Sequence, residues 1–185
     1  MNAPFVPAIA AWVGGALRPM DKMEVHRQGL KHPAVSVFVL AGTRVLLQQR
    51  ASGKYHTPGL WANTCCTHPH WGEDPAACAV RRLDEELGLT GLSVVQAGQV
   101  EYRADVGGGL TEHEVVDVFT AEAPLSLPVA PNPAEVSAVR WVDLYDLAAE
   151  VRRWPERFTP WLRVYLTDHI DRIFGSLAMA PQMAR

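Results

Sequence analysis

The chain has 185 residues, 48% of them hydrophobic and 20% charged, with a net charge of −3. That length suits one domain with a single core. The slight negative charge argues against bulk nucleic-acid binding and leaves any anionic substrate to be met by local cations or metal.

Residues 1–7 are expected to be disordered and 178–185 to form a loose tail, with one domain over 8–177. Ala8 to Val13, Gly14-Gly15 and Ala16 to Met23 read as a strand, a turn and a return strand. Lys22 lies four residues before His26. His26 and His32 flank Gly29, and a bend there would let both rings converge on one ion; standing alone, such pairs are more often surface residues. Ala34 to Leu40 is apolar nearly throughout and reads as a strand buried on both faces. Ala41-Gly42-Thr43 turns the chain and Val45 to Arg50 returns. Lys54 follows in a loop closed by Pro58-Gly59. Cations at 50 and 54 suit a diphosphate through charge-assisted hydrogen bonds, or equally belong to a solvated loop.

The stretch Gly59 to Gly88 holds all three cysteines. Two of them are adjacent, which fits free thiols in a reducing compartment, read here as the cytoplasm, better than a disulfide framework. If Cys66-Thr67-His68 is extended, Cys66 and His68 share one side and Cys65 takes the other. Pro69 biases His68 toward that geometry. The plainer reading makes both cysteines small buried apolar residues. Glu73, Asp74 and Pro75 look like a helix start and Gly88 like its stop. Ala76, Val80, Leu83 and Leu87 form an apolar stripe, with Arg82, Glu85 and Glu86 turned away from it. Those carboxylates are either solvated surface or a site for Mg²⁺, a hard cation that takes oxygen ligands and shares them with phosphates.

Leu92 to Ala97 and Gln99 to Ala104 read as strands, Gly107-Gly108-Gly109 as a hairpin loop and Thr111 to Ala121 as the return. On that return Glu112 and Glu114 share one face and His113 takes the other. Paired carboxylates repel unless a cation or a proton lies between them; on a strand facing water they would need no explanation. Tyr102 lies on the partner strand. The proline-rich stretch Leu125 to Pro133 reads as irregular and Glu135 to Val142 as a last strand. Asp143 caps a helix running to about Arg153, Pro155 breaks it, and Thr159-Pro160 starts a terminal helix. No apolar run approaches the roughly 20 residues of a membrane span.

Glu73, Arg81, Leu83, Glu85, Glu86, Gly88 and Leu89 resemble the Nudix box, Gly-x5-Glu-x7-Arg-Glu-apolar-x-Glu-Glu-x-Gly-apolar. Thr67 stands at its first Gly and Arg82 at the Glu after Arg81. The Asn-Thr-Cys-Cys-Thr-His-Pro run before the box is similar to one branch of that superfamily, the type I isopentenyl diphosphate isomerases. The similarity spans about Lys22 to Trp161.

The resemblance implies a single-domain α/β fold, the Nudix α/β/α sandwich with a mixed β-sheet. It implies isomerisation of isopentenyl diphosphate to dimethylallyl diphosphate, a 1,3-allylic shift in isoprenoid biosynthesis. Carried over residue by residue, it places a divalent ion (Mn²⁺, Zn²⁺ or Mg²⁺) on His26, His32, His68, Glu112 and Glu114. A second ion, Mg²⁺, would sit between the substrate diphosphate and Glu86. Cys66 and Glu114 become the proton-transfer groups, with Tyr102 beside Glu114. Lys22, Arg50, Lys54 and Arg82 supply cations to the diphosphate. Trp161, in Phe158-Thr159-Pro160-Trp161, lines the pocket. His113 stands where the family usually has Asn. The resemblance further implies a small-molecule substrate; charge and hydropathy predict no nucleic-acid or membrane partner, and a monomer is expected. A diphosphate-cleaving hydrolase would share the box, but Arg82 replaces a carboxylate of its metal cluster. A non-catalytic diphosphate-binding module would leave Cys66 and Tyr102 idle.

Overall fold

A computed structural model describes residues 8–175; the terminal segments expected to be loose, 1–7 and 178–185, lie outside the described residues. The chain opens with a hairpin, β1 (Ile9–Val13) and β2 (Ala16–Met20), turned at Gly14 and Gly15. The return strand is shorter than expected. The Asp21 side chain accepts the Glu24 N–H and caps a helix, α1 (Lys22–Gln28), which hydrophobic patterning missed. Seven residues are too few to display a 3.6-residue period. Gly29 closes this helix at φ 60, the left-handed conformation that glycine adopts without strain, and supplies the expected bend.

The central strand is β3 (Lys31–Ala41), followed by β4 (Arg44–Arg50) and two short strands, β5 (Trp61–Ala62) and β6 (Cys65–Thr67). Helix α2 (Pro75–Leu87) starts at Asp74, whose side chain accepts the N–H groups of Ala76 and Ala77, and ends at Gly88. A long hairpin, β7 (Val95–Gly107) and β8 (Leu110–Glu122), comes next. The two strands expected before the glycine loop are one, continued through a register shift between Gln96 and Gly98. Strand β9 (Val136–Asp143), α3 (Leu144–Arg153), a 3₁₀ turn at Pro155–Arg157, α4 (Pro160–Asp168) and α5 (Ile170–Phe174) complete the described chain.

The main sheet has the order β5-β4-β3-β8-β7, with β6 also on β3 and β9 on β4. Strands β3 and β8 run parallel while the other pairs are antiparallel, so the sheet is mixed. Alternation along β3 divides the core in two. Ala34, Phe38 and Leu40 pack with Leu144, Leu147, Leu162 and Tyr165 beneath the C-terminal helices. Val35, Val37 and Val39 pack with Cys78, Ala79, Leu83 and Leu87 of α2. This is the α/β/α sandwich that the resemblance implied. Full burial of a side chain such as Leu83 contributes about 1.5–3 kcal/mol. Two details of α2 differ from expectation. Val80 is 41% exposed, and Glu86, expected on the polar face, is buried.

Candidate active site

Three elements bring the histidines together. His26 lies in the last turn of α1, His32 on β3, and His68 directly after β6. The parallel register sets His32 beside Glu114 on β8, two residues from Glu112. All five side chains are buried. His26 Nδ1 lies 2.7 Å from the Lys22 carbonyl and His32 Nδ1 2.7 Å from the Leu30 carbonyl. Those oxygens can only accept, so both Nδ1 atoms carry the proton and both Nε2 atoms keep a lone pair, the tautomer a metal requires. His32 Nε2 and His68 Nε2 are 3.1 Å apart, and His68 Nε2 is 2.9 Å from Glu114 Oε1. His26 Nε2 is buried without a partner.

Burial lowers the pKa of His26 to about 4 and that of His68 well below the usual range, so these imidazoles are unprotonated at neutral pH. The ligand atoms of His26, His32, His68 and Glu114 all lie within 4.8 Å of one another. Convergent lone pairs, an orphaned buried nitrogen and a carboxylate fit a divalent cation.

Glu112, Glu114 and Tyr102 form a second group. Tyr102 on β7 is in register with Glu114, and its hydroxyl lies 2.8 Å from Glu112 Oε2 and 2.7 Å from Glu114 Oε2. One phenolic proton can serve only one carboxylate at a time. Burial and then the neighbouring Glu114 push Glu112 up. Burial alone would raise Glu114 as well, but the adjoining His32 and His68 imidazoles outweigh it and hold that carboxyl low. His113 points the other way, 3.5 Å from Glu101 on the outer face.

The cysteines separate as alternation requires. Cys65 packs into the α2-side core, while Cys66 opens on a cleft that Glu112, Glu114 and His68 also line. Cys66 Sγ lies 2.7 Å from Ser36 Oγ. Burial and then the Glu114 charge push this thiol well above its ordinary value.

Lys22, Arg50, Lys54 and Arg82 line the same cleft. Burial, then the charges of Lys54, Arg82 and Arg50, lower Lys22 to about 8, the signature of cations gathered faster than local acids neutralise them. Lys54 pairs with Glu135, and Arg82 with Glu85 and Glu86. Glu86 is set one layer back: Arg82 covers one oxygen, and Gln48 Nε2 donates to the other at 2.9 Å. Trp161, in the first turn of α4, is held by a 3.1 Å bond from Nε1 to Asn63 Oδ1 and carries the Arg50 guanidinium 5.3 Å above its ring.

Sequence reasoning missed His56. It lines the cleft from the loop after β4, buried, with Nε2 3.4 Å from Glu112 Oε1. Its Nδ1 faces Thr57 Oγ1 at 3.1 Å and Arg50 Nη2 at 3.5 Å. Donors at Nδ1 put the ring proton on Nε2, aimed at Glu112, so His56 orients that carboxylate instead of offering a lone pair. A single loop histidine carries no pattern that could have revealed this. Ser36 was equally invisible, because its partners are distant in sequence.

The NUDIX domain model matches residues 30–162 of the chain. The isopentenyl-diphosphate Delta-isomerase of Cereibacter sphaeroides (strain ATCC 17025 / ATH 2.4.3) is 70% identical over 169 residues, 91% of this chain and 96% of that protein. The isopentenyl-diphosphate Delta-isomerase of Dinoroseobacter shibae is 65% identical over 170 residues, 92% of this chain and 97% of that protein. Among solved structures, the MutT NUDIX hydrolase from Burkholderia pseudomallei superposes with a TM-score of 0.57 at 25% identity, covering 75% of this chain and 98% of that one.

Proposed function

The chain belongs to the NUDIX family and, within it, to the isopentenyl-diphosphate Delta-isomerases: it converts isopentenyl diphosphate to dimethylallyl diphosphate, and we propose that Cys66 and Glu114 divide the two proton transfers between them. The observation that carries this reading is that both side chains open on one cleft, whose lining also includes four cations.

The reaction adds a proton at one carbon and removes another two bonds away. An unactivated alkene is a weak base, so the donor must be well placed, and the species between has tertiary carbocation character. Two groups facing one five-carbon chain meet both demands without moving. One gives up a proton and the other gains one, so their protonation states exchange over a turnover. Tyr102, bonded to Glu114, moves its hydroxyl proton toward whichever carboxylate oxygen is bare. Trp161 faces the developing cation. It already carries a guanidinium over its ring, and such contacts contribute about 0.5–2 kcal/mol. A buried cleft also excludes water, which would trap the cation as an alcohol.

His26, His32, His68, Glu112 and Glu114 would hold a divalent ion, and Mn²⁺, Zn²⁺ and Mg²⁺ all suit that mixed nitrogen and oxygen set. Such an ion would supply fixed positive charge that orients Glu114 and makes its proton more acidic. Lys22, Arg50, Lys54 and Arg82 bind the diphosphate. Glu86 would hold a Mg²⁺ that supplies further positive charge to the diphosphate. We propose a domain over 8–177 that acts as a monomer. The cytoplasm is its compartment, in keeping with three unpaired cysteines. No helix among the described residues is long and apolar enough to cross a membrane.

Incubation with isopentenyl diphosphate and Mg²⁺ in D₂O tests the reaction class. Deuterated dimethylallyl diphosphate is expected. Release of phosphate without deuterium uptake would instead mean hydrolysis. Glu114→Gln should be inactive even when its metal content is normal, and near-normal turnover there removes Glu114 from proton transfer.

A further inference from the structure

Two buried hydroxyls have no part in the chemistry above. Ser36 and Tyr165 are both fully buried. Ser36 stands on the face of β3 that Ala34, Phe38 and Leu40 make apolar. A hydroxyl in such a row costs stability unless it is hydrogen-bonded. Its two partners differ in kind. In the antiparallel register of β3 and β6, Ser36 lies directly opposite Cys66, so their side chains share a face. Ser36 Oγ is 2.7 Å from Cys66 Sγ and 2.8 Å from the hydroxyl of Tyr165 on α4. Tyrosine, serine and cysteine thus form a line that ends on the sulfur at the cleft wall.

The direction of that line matters. A phenol donates more readily than it accepts. With the Tyr165 proton on Ser36 Oγ, the single Ser36 proton is left for Sγ. In the opposite direction the thiol proton would point into the protein, away from any substrate.

We propose that Ser36 is a positioning residue for Cys66. Tyr165 donates to Ser36, Ser36 donates to Sγ, and the sulfur's own proton, or the lone pair that accepts one, is left facing the cleft. The inference rests on the reading of Cys66 as a proton-transfer group. Neither hydroxyl loses its proton: the proton that moves passes between sulfur and a substrate carbon, and the Ser36 bond strengthens while sulfur carries negative charge.

Steady-state kinetics on four single variants test it. Ser36→Ala is expected to lower kcat about 10- to 100-fold, the loss of one hydrogen bond to a charged group, with KM and bound metal unchanged. Ser36→Thr keeps the hydroxyl on a strand that suits a branched side chain and should recover most of that loss. Tyr165→Phe keeps the ring, frees Ser36 to turn, and should fall between. Equal loss in Ser36→Ala and Ser36→Thr, or a loss expressed in KM or metal content, means that Ser36 only fills space and overturns the inference. So does near-normal kcat in Ser36→Ala. Should Ser36→Ala fail to fold, Tyr165→Phe decides alone, and an unchanged kcat there also overturns it. Cys66→Ala, run in parallel, keeps the two readings apart. Normal turnover in that variant sinks the role of Cys66 itself, whereas a dead Cys66→Ala beside a normal Ser36→Ala sinks only the role of Ser36.

Discussion

Replacing the adjacent cysteines by alanine, one at a time, separates stability from chemistry. Cys65 is fully buried against Val35, Val37 and Leu83. Alanine there removes one sulfur, about a methylene in size, worth roughly 0.8 kcal/mol in transfer plus a cavity contribution, or about 1–2 kcal/mol in all. For a chain of this length each kcal/mol lowers Tm by about 2–4 °C. Turnover should stay within about twofold of the parent, since nothing in the cleft changes. Cys66 is only partly buried and faces the cleft, so Cys66→Ala should barely move Tm. It removes the proposed proton-transfer group, and such groups contribute about 10²- to 10⁴-fold. Thermal melts and deuterium incorporation followed by NMR measure the two effects on the same samples. Equal losses of activity in the two variants would refute the alternation of the Cys65–Thr67 strand as the reason only one sulfur reacts.

Three further outcomes are expected. The Glu73 carboxylate accepts from Arg81 Nε at 2.6 Å, Arg81 Nη2 at 2.7 Å and the His70 N–H at 2.8 Å, and the arginine holds its pKa near 2. A depressed carboxyl contributes stability above its unfolded value of about 4.3 and loses it as pH falls toward 2. Glu73→Gln should therefore cost about 1–2 kcal/mol at pH 7, allowing for solvent screening, and should flatten the acid limb of a Tm–pH curve; an unchanged limb would count against the clamp. Gly88 sits at φ 64, and a Cβ there would lie 3.0 Å from Ala130 Cβ and 3.2 Å from its carbonyl, so Gly88→Ala should cost about 1–3 kcal/mol in urea unfolding. Added Mn²⁺, Zn²⁺ or Mg²⁺ should raise Tm after chelation, by about 2.7 kcal/mol of stability at a hundredfold excess over Kd, and His26→Ala should abolish the shift; melting indifferent to all three ions would argue against the histidine site.

What could be read from sequence was local. Ala34 to Leu40 announced a doubly covered strand because every residue in it but Ser36 is apolar. Cys65 and Cys66 took opposite faces, and Glu112 and Glu114 shared one, because a strand alternates. Asp74, Gly88 and Asp143 marked helix ends through the chemistry of capping. Other features were hidden for physical reasons. Helix α1 is short and mostly polar, so it shows no stripe. A bulge at Gly98 let one strand look like two. Val80 fell in phase with the stripe of α2, yet the sheet meets that helix along Cys78, Ala79 and Leu83. His56, Ser36, Asn63 and Tyr165 enter the site only through pairings between distant segments. The ligand set and the diphosphate contacts came from family likeness, since each piece alone reads as ordinary surface or core.

The parallel pairing of β3 with β8 has a consequence for how the protein matures. His32 and Glu114 are neighbours only because the chain from β4 through β7 is looped between them. A partly synthesised chain therefore offers three imidazoles without either carboxylate, and crossovers of this kind close slowly. The proposed ligand set is therefore complete only once β8 has paired with β3.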